Sequence, residues 1–198
     1  MKNLILLLLV FIFIGCKKET TLNDSVFIAD KENPNLPAYT EWGYNTFGAN
    51  YERDVFTYTE YDIPIKVIIE NDELNLLFQG DCRGCSGDLT TLKFVLPRNN
   101  IEKYQDLLAF NDTIIDLTRQ DISVHMLNEY NERSLDIIEG ELTFKRSQKV
   151  FVDDEEKEII LSGYFNLKFL VNGVPENMSD GRFDLGIGDN NFYNLDEL

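Results

Sequence analysis

From Trp42 onward, apolar and polar residues alternate in short runs, and the breaks between runs fall on Asn, Asp and Gly. Period-two alternation places every second side chain on one face, as a half-buried antiparallel strand requires. Ile65, Val67 and Ile69 share a face, Asn71-Asp72 supplies a turn, and Leu74, Leu76 and Phe78 continue on that face, which predicts a β-hairpin. The pattern returns in Leu92, Phe94 and Leu96 before Pro97, in Ile122, Val124 and Met126, and in Phe165, Leu167 and Phe169. Leu142 and Phe144 point one way from a longer run that precedes a turn at Asp153-Asp154-Glu155-Glu156. The last run sets Phe183, Leu185 and Ile187 on one side and Arg182 and Asp184 on the other. Only Asn100 to Phe110 departs from it: Ile101, Tyr104, Leu107 and Leu108 have helical spacing, enough for about two turns over a sheet end, with a loop as the equal alternative. The expected fold is all-β, a single antiparallel β-sandwich or small β-barrel of about nine or ten strands, with one short helix near 100–110.

The N-terminus follows a different pattern. Met1-Lys2-Asn3 is a short positive start, and Leu4 to Ile14 is an unbroken apolar run ending at Gly15-Cys16. That run is well below the ~20 residues a spanning helix needs, so it reads as a cleaved signal peptide, residues 1–15. Phe13-Ile14-Gly15-Cys16 resembles the lipobox of bacterial lipoproteins, with Phe13 where Leu is usual. The resemblance implies that Cys16 carries diacylglycerol and ties the protein to the cell envelope. Lys17-Lys18-Glu19, with no Asp after the cysteine, points by the same resemblance to the outer membrane without fixing the periplasmic or the surface face. Residues 16–40 are polar and read as a flexible tether with one apolar cluster, Val26-Phe27-Ile28-Ala29. Residues 41–190 then form the β-rich domain and 191–198 a C-terminal tail.

Composition narrows the partners. A chain of 198 residues that is 43% hydrophobic supplies one ordinary core once the leader is set aside. Eighteen basic against 35 acidic residues give a net charge of -17, which repels phosphate backbones and excludes nucleic acid as a natural partner.

Three segments carry a resemblance. Tyr44-Asn45-Thr46-Phe47-Gly48-Ala49, Ser162-Gly163-Tyr164-Phe165-Asn166-Leu167 and Ser179-Asp180-Gly181-Arg182-Phe183-Asp184 are similar to small β-rich lipoproteins of Bacteroidota, over most of residues 44 to 187. The resemblance implies a fold and a lineage; that family has no assigned activity, so it carries no catalytic residue. Asp180-Gly181 suits a tight turn, and Arg182 between Asp180 and Asp184 is expected to form exposed ion pairs.

The sharpest local chemistry is Cys82-Arg83-Gly84-Cys85. A C-x-x-C pair outside the cytosol can close a disulfide, bind metal or exchange electrons. A redox site wants a helix after the first cysteine, yet Leu89 to Leu96 alternates as a strand, and a structural zinc lacks further soft ligands beyond Cys16 and the single His125. A local disulfide is the expectation, with no metal. His125 alternates with Ser123 opposite Val124 and Met126, is expected to be exposed, and has no nucleophile motif beside it. Asp24-Ser25-Val26 and Asp112-Thr113-Ile114 resemble the Bacteroidota O-glycosylation motif, which implies Ser25 and Thr113 as acceptors. Tyr44, Tyr51, Tyr58 and Tyr61 form a candidate platform for a sugar. Taken together, the sequence predicts a non-enzymatic lipoprotein without cofactor, held to the membrane by its N-terminal lipid and binding an envelope protein or glycan. An envelope thiol-disulfide protein using Cys82 and Cys85 is the alternative.

Overall fold

The computed structural model describes residues 24–82, 85 and 89–197, so the predicted leader and Cys16 lie outside the described residues. The strands are β1 (Thr46–Tyr51), β2 (Asp54–Thr57), β3 (Ile65–Glu70), β4 (Glu73–Cys82), β5 (Leu89–Pro97), β6 (Thr113–Asp116), β7 (Ser123–Leu127), β8 (Glu132–Ser134), β9 (Asp136–Val152), β10 (Glu155–Val171), β11 (Val174–Ile187) and β12 (Phe192–Asn194). They form one curled sheet in the order β6-β9-β10-β11-β1-β2-β4-β5-β7-β8, with β3 also on β4 and β12 beside β3. The sheet bends back on itself where β2 meets β4 at Thr57 and Asp81, and it stays open between β6 and β8. The fold is therefore all-β, a half-barrel whose two halves close on a shared core.

Phenylalanine fills that core. Phe47 on β1 lies 5.0 Å from Phe78 on β4, Phe94 on β5 lies 5.6 Å from Phe165 on β10, and Phe78 lies 5.3 Å from Phe183 on β11, so ring contacts join the two halves. All five rings are essentially without solvent contact. Aromatic pairs at these separations add about 0.5–1.5 kcal/mol each beyond the area they bury.

The turns have the conformations that their Asn, Asp and Gly residues favour. Asn71 and Asp72 both take positive φ, as do Asp153 and Asp154, which is the mirror-image turn whose twist matches a two-residue hairpin. Asn172-Gly173 closes β10 to β11 in the same way. Glu155 and Glu156, expected in the turn, already belong to β10 and pair with Val152 and Phe151.

Between β5 and β6 the chain forms a 3-10 helix, Tyr104–Phe110. Ile101, Tyr104, Leu107 and Phe110 are buried, a spacing of three that suits the 3-10 repeat rather than the α-helical one. Phe110 stacks on Phe144 at 4.7 Å, so the helix covers one end of the core.

Ordered contacts extend beyond the core strands at both ends of the described residues. Leu36 is fully buried, Ala29 bridges to Pro37, and residues 24–44 run over the sheet as a strap, so the expected tether is docked from Asp24 onward. At the other end Phe192 to Asn194 pairs parallel with Val67 to Ile69. Asp196 accepts the backbone N–H groups of Asn71 and Asp72 and pairs with Arg98 at 3.2 Å, which draws the expected tail into the fold. Period-two reading missed these pieces, together with β2, β6 and β8, because strands of three or four residues are too short to show an alternation.

Candidate functional site

Cys82 ends β4 opposite Leu89 of β5, and its sulfur is joined to that of Cys85 with the Cα atoms 5.4 Å apart. Both cysteines are buried. A strand lies on either side of the pair, where a helix would be needed to lower a thiol pKa. The disulfide staples the corner. Because the closed loop is so short, reducing it is expected to lower stability by about 2 kcal/mol at most. Thermal melts with and without a phosphine reductant check this: a midpoint a few degrees lower agrees, and loss of cooperative melting does not.

His125 is half-buried rather than exposed. Its Nε2 is 2.9 Å from the Ser123 hydroxyl, and its Nδ1 is 3.1 Å from Glu132 Oε1. Burial holds the imidazole below its ordinary pKa, against the pull of Glu132 and with a smaller push from Lys93. The neutral ring accepts the Ser123 proton at Nε2 and donates from Nδ1 to Glu132, the connectivity that activates a serine. Sequence reasoning overlooked it because the nucleophile and base sit at i and i+2 on one strand, which no hydrolase motif describes. The surroundings, however, are those of a flat sheet face. Ser123 is paired with Val95 inside the ladder and Lys93 is opposite His125, with its ammonium 3.1 Å from Glu132. β7 pairs with β5 on one side and with β8 on the other, so its backbone is engaged in ladders rather than turned toward an oxyanion at Ser123. A fluorophosphonate probe is expected to leave Ser123 unmodified, and labelling that vanishes in Ser123→Ala would contradict this reading.

A concavity of about 640 Å³ opens on the outer side of β9, β10 and β11 beneath Asp116 and Thr118. Its polar wall holds Asp116, Glu139, Glu141, Asn166, Lys168 and Asn177. Gly140 forms the floor: a Cβ there would meet the Asn166 carbonyl at 3.2 Å and the Leu167 side chain at 3.3 Å. Its carbonyl accepts Leu117 N–H at 3.0 Å, which ties the rim to β9. The Thr118 hydroxyl and backbone N–H hold the Asp116 carboxyl below the usual range, so it is ionised at neutral pH. The groove is thus rich in acceptors, supplied by strands that the core keeps rigid.

The motif Ser179 to Asp184 has a different part from the one expected. Arg182 is mostly buried and pairs with Asp30 of the strap at 3.0 Å, while its Nε donates to the Asp180 carbonyl. Asp184 is almost wholly buried. Its carboxylate accepts the Thr40 hydroxyl and the N–H groups of Trp42, Gly43 and Tyr44, the last three at 3.1, 2.8 and 3.2 Å. The exposed ion pairs expected on that face are replaced by a lock on the strap. Tyr39 stacks on Tyr164 at 4.2 Å beside it.

The candidate glycosylation acceptors are half-buried: Ser25 donates its backbone N–H to the Tyr61 carbonyl, and Thr113 opens the edge strand β6. The tyrosine platform is dispersed. Tyr51 is buried with its hydroxyl on Glu176, Tyr44 and Tyr58 are half-buried, and only Tyr61 is open to solvent. Period two already implies the burial of Tyr51, which follows Phe47 and Ala49 at every second position of β1 and shares their face.

Fold and site define an all-β domain with an acceptor-rich groove and a locked N-terminal strap. No protein-family model, no curated protein and no solved structure matches the chain.

Proposed function

We propose that the chain is a lipid-anchored lipoprotein of a bacterial cell envelope whose domain is a non-enzymatic binding module, taking a neutral or cationic partner, protein or glycan, in the groove over Gly140. The groove carries the reading. Its carboxylates and amides offer many acceptors and few cations, which suits hydroxyl or ammonium donors and repels anions. The apolar run Leu4 to Ile14 followed by Gly15-Cys16 supports the address. The burial of Cys82 and Cys85 between two strands supports a staple rather than thiol-disulfide exchange.

Amide chemical-shift mapping with envelope glycan fragments and with a short lysine-rich peptide tests the groove. Shifts centred on Glu139, Asn166 and Asn177, lost in Asn166→Ala, are expected for one of the two. Shifts confined to the β7–β8 face would move the site elsewhere, and none with either ligand would remove the reading.

A further inference from the structure

We propose that the surface where the strap begins docks against the interfacial region of the membrane that carries the anchor, so that the domain lies on the bilayer instead of swinging above it. The inference rests on the lipid-anchor reading. Ser25 N–H reaches the Tyr61 carbonyl at 2.7 Å and Val26 N–H the Tyr44 carbonyl at 2.8 Å, which brings three chain segments together. On those segments stand the exposed large apolar side chains Val26, Phe27 and Ile28, between 41% and 46% exposed, with Trp42 at 74% and Tyr61 at 84%. Five such side chains on three joined segments exceed what scattered surface hydrophobics explain.

Chain length says what covers them. Only seven residues separate Cys16 from Asp24, a span of about 29 Å at most when fully extended. A tether running freely to residue 40 would reach on the order of 80 Å. The docked strap therefore holds this patch close to the acyl chains on Cys16, and the patch has the composition that suits a bilayer interface, where indole and phenol rings sit among headgroups. Acidic Glu41, Glu60 and Asp62 on the same segments oppose an anionic surface, so the occupant is a zwitterionic headgroup layer.

Trp42 is the single tryptophan of the chain and so reports on the patch directly. With Cys82 and Cys85 joined, Cys16 is the one remaining thiol, and the mature chain beginning there can be coupled to a maleimide-phosphatidylethanolamine in phosphatidylcholine vesicles. This attaches the protein whether or not the cell acylates it. On vesicles, Trp42 emission is expected to shift to shorter wavelength and to be several-fold less quenched by iodide than in detergent-free solution. The double variant Phe27→Asp and Tyr61→Asp should restore the solution values, with near-ultraviolet circular dichroism confirming that it is folded. Solution-like emission from the coupled wild type would overturn the docking, as would a shift that survives in the double variant. Mass spectrometry of the native N-terminus reads acylation separately: an unacylated Cys16 would remove the anchor reading while the vesicle result still decides whether the patch docks.

Discussion

Gly163→Ala is expected to destabilise the fold by on the order of 4 kcal/mol, at the upper end of what a single added methyl costs in a packed interior. A Cβ at Gly163 would lie 1.9 Å from the Thr143 carbonyl oxygen on β9 and 2.8 Å from the ring of Phe183 on β11. The first contact is with backbone of a central ladder, so relief requires β10 to move away from β9. Gly163 and Phe165 on β10 face Phe183 and Gly181 on β11 in reciprocal register. Each phenylalanine ring thus covers the glycine opposite, and a Cβ at Gly181 would meet the Phe165 ring at 2.5 Å. Gly181→Ala is milder because a ring can turn where a backbone cannot. Urea denaturation of Gly163→Ala and Gly181→Ala, each alone and with the opposing phenylalanine changed to leucine, checks the account. Relief by Phe165→Leu in the Gly181→Ala background is expected, whereas additive losses would show that the two positions do not share one packing site.

Asp184→Ala is expected to cost about 3 kcal/mol and to free the strap. Three backbone N–H groups and one hydroxyl lose a charged acceptor at once, and hydrogen bonds to charged groups contribute roughly 1.5–3 kcal/mol each before water compensates the exposed ones. Asp184→Asn keeps the shape and one acceptor oxygen and should cost about half as much. Hydrogen exchange reads the mechanism: protection should fall across residues 25–44 while that of β3 to β5 stays high. Equal protection in the variant and the parent would mean that the carboxylate does not hold the strap. The second clasp has its own pH dependence. Backbone N–H groups of Asn33 and Glu32, with Arg182 adding to them, hold the Asp30 carboxyl below its ordinary pKa. The contribution of Asp30 is therefore present above the ordinary carboxylate range and is lost as pH falls through the depressed value.

The strands of the core were legible because burial on one face imposes a period of two, and Ile65 to Phe78 shows it without interruption. The strap was not, because its order comes from contacts more than a hundred residues away in sequence: nothing between Glu19 and Tyr39 announces that Asp184 and Arg182 will hold it. Asp184 misled for a related reason. Alternation places it on the outer face, but the strap covers that face, so an outward carboxylate becomes a buried one. The 3-10 helix was read as helical from its i, i+3 spacings, and the fourth member of that series, Phe110, would have set the period at three. The G-x-F triplets Gly163-Tyr164-Phe165 and Gly181-Arg182-Phe183 were both visible as motifs. Their pairing required the register, which the Asn172-Gly173 turn begins and an irregularity between Phe165 and Leu167 shifts by one residue. Of the groove, no single residue was distinguishable, since its wall is assembled from β9, β10, β11 and the segment after β6.

The docked strap changes what the N-terminal cysteine implies. On the proposed anchoring, a lipid on Cys16 would do more than retain the domain in one compartment: through the seven residues before Asp24 it would turn one face of the half-barrel to the bilayer and leave the groove over Gly140 to a partner. Mass spectrometry of the protein purified from the membrane fraction tests the anchor, on which this account rests, most directly. A chain that begins at Cys16 and carries acyl groups there, with Cys16→Ser moved to the soluble fraction, is the predicted result. A chain that retains residues 1–15, or one that begins at Cys16 without lipid and fractionates as soluble protein, would contradict it.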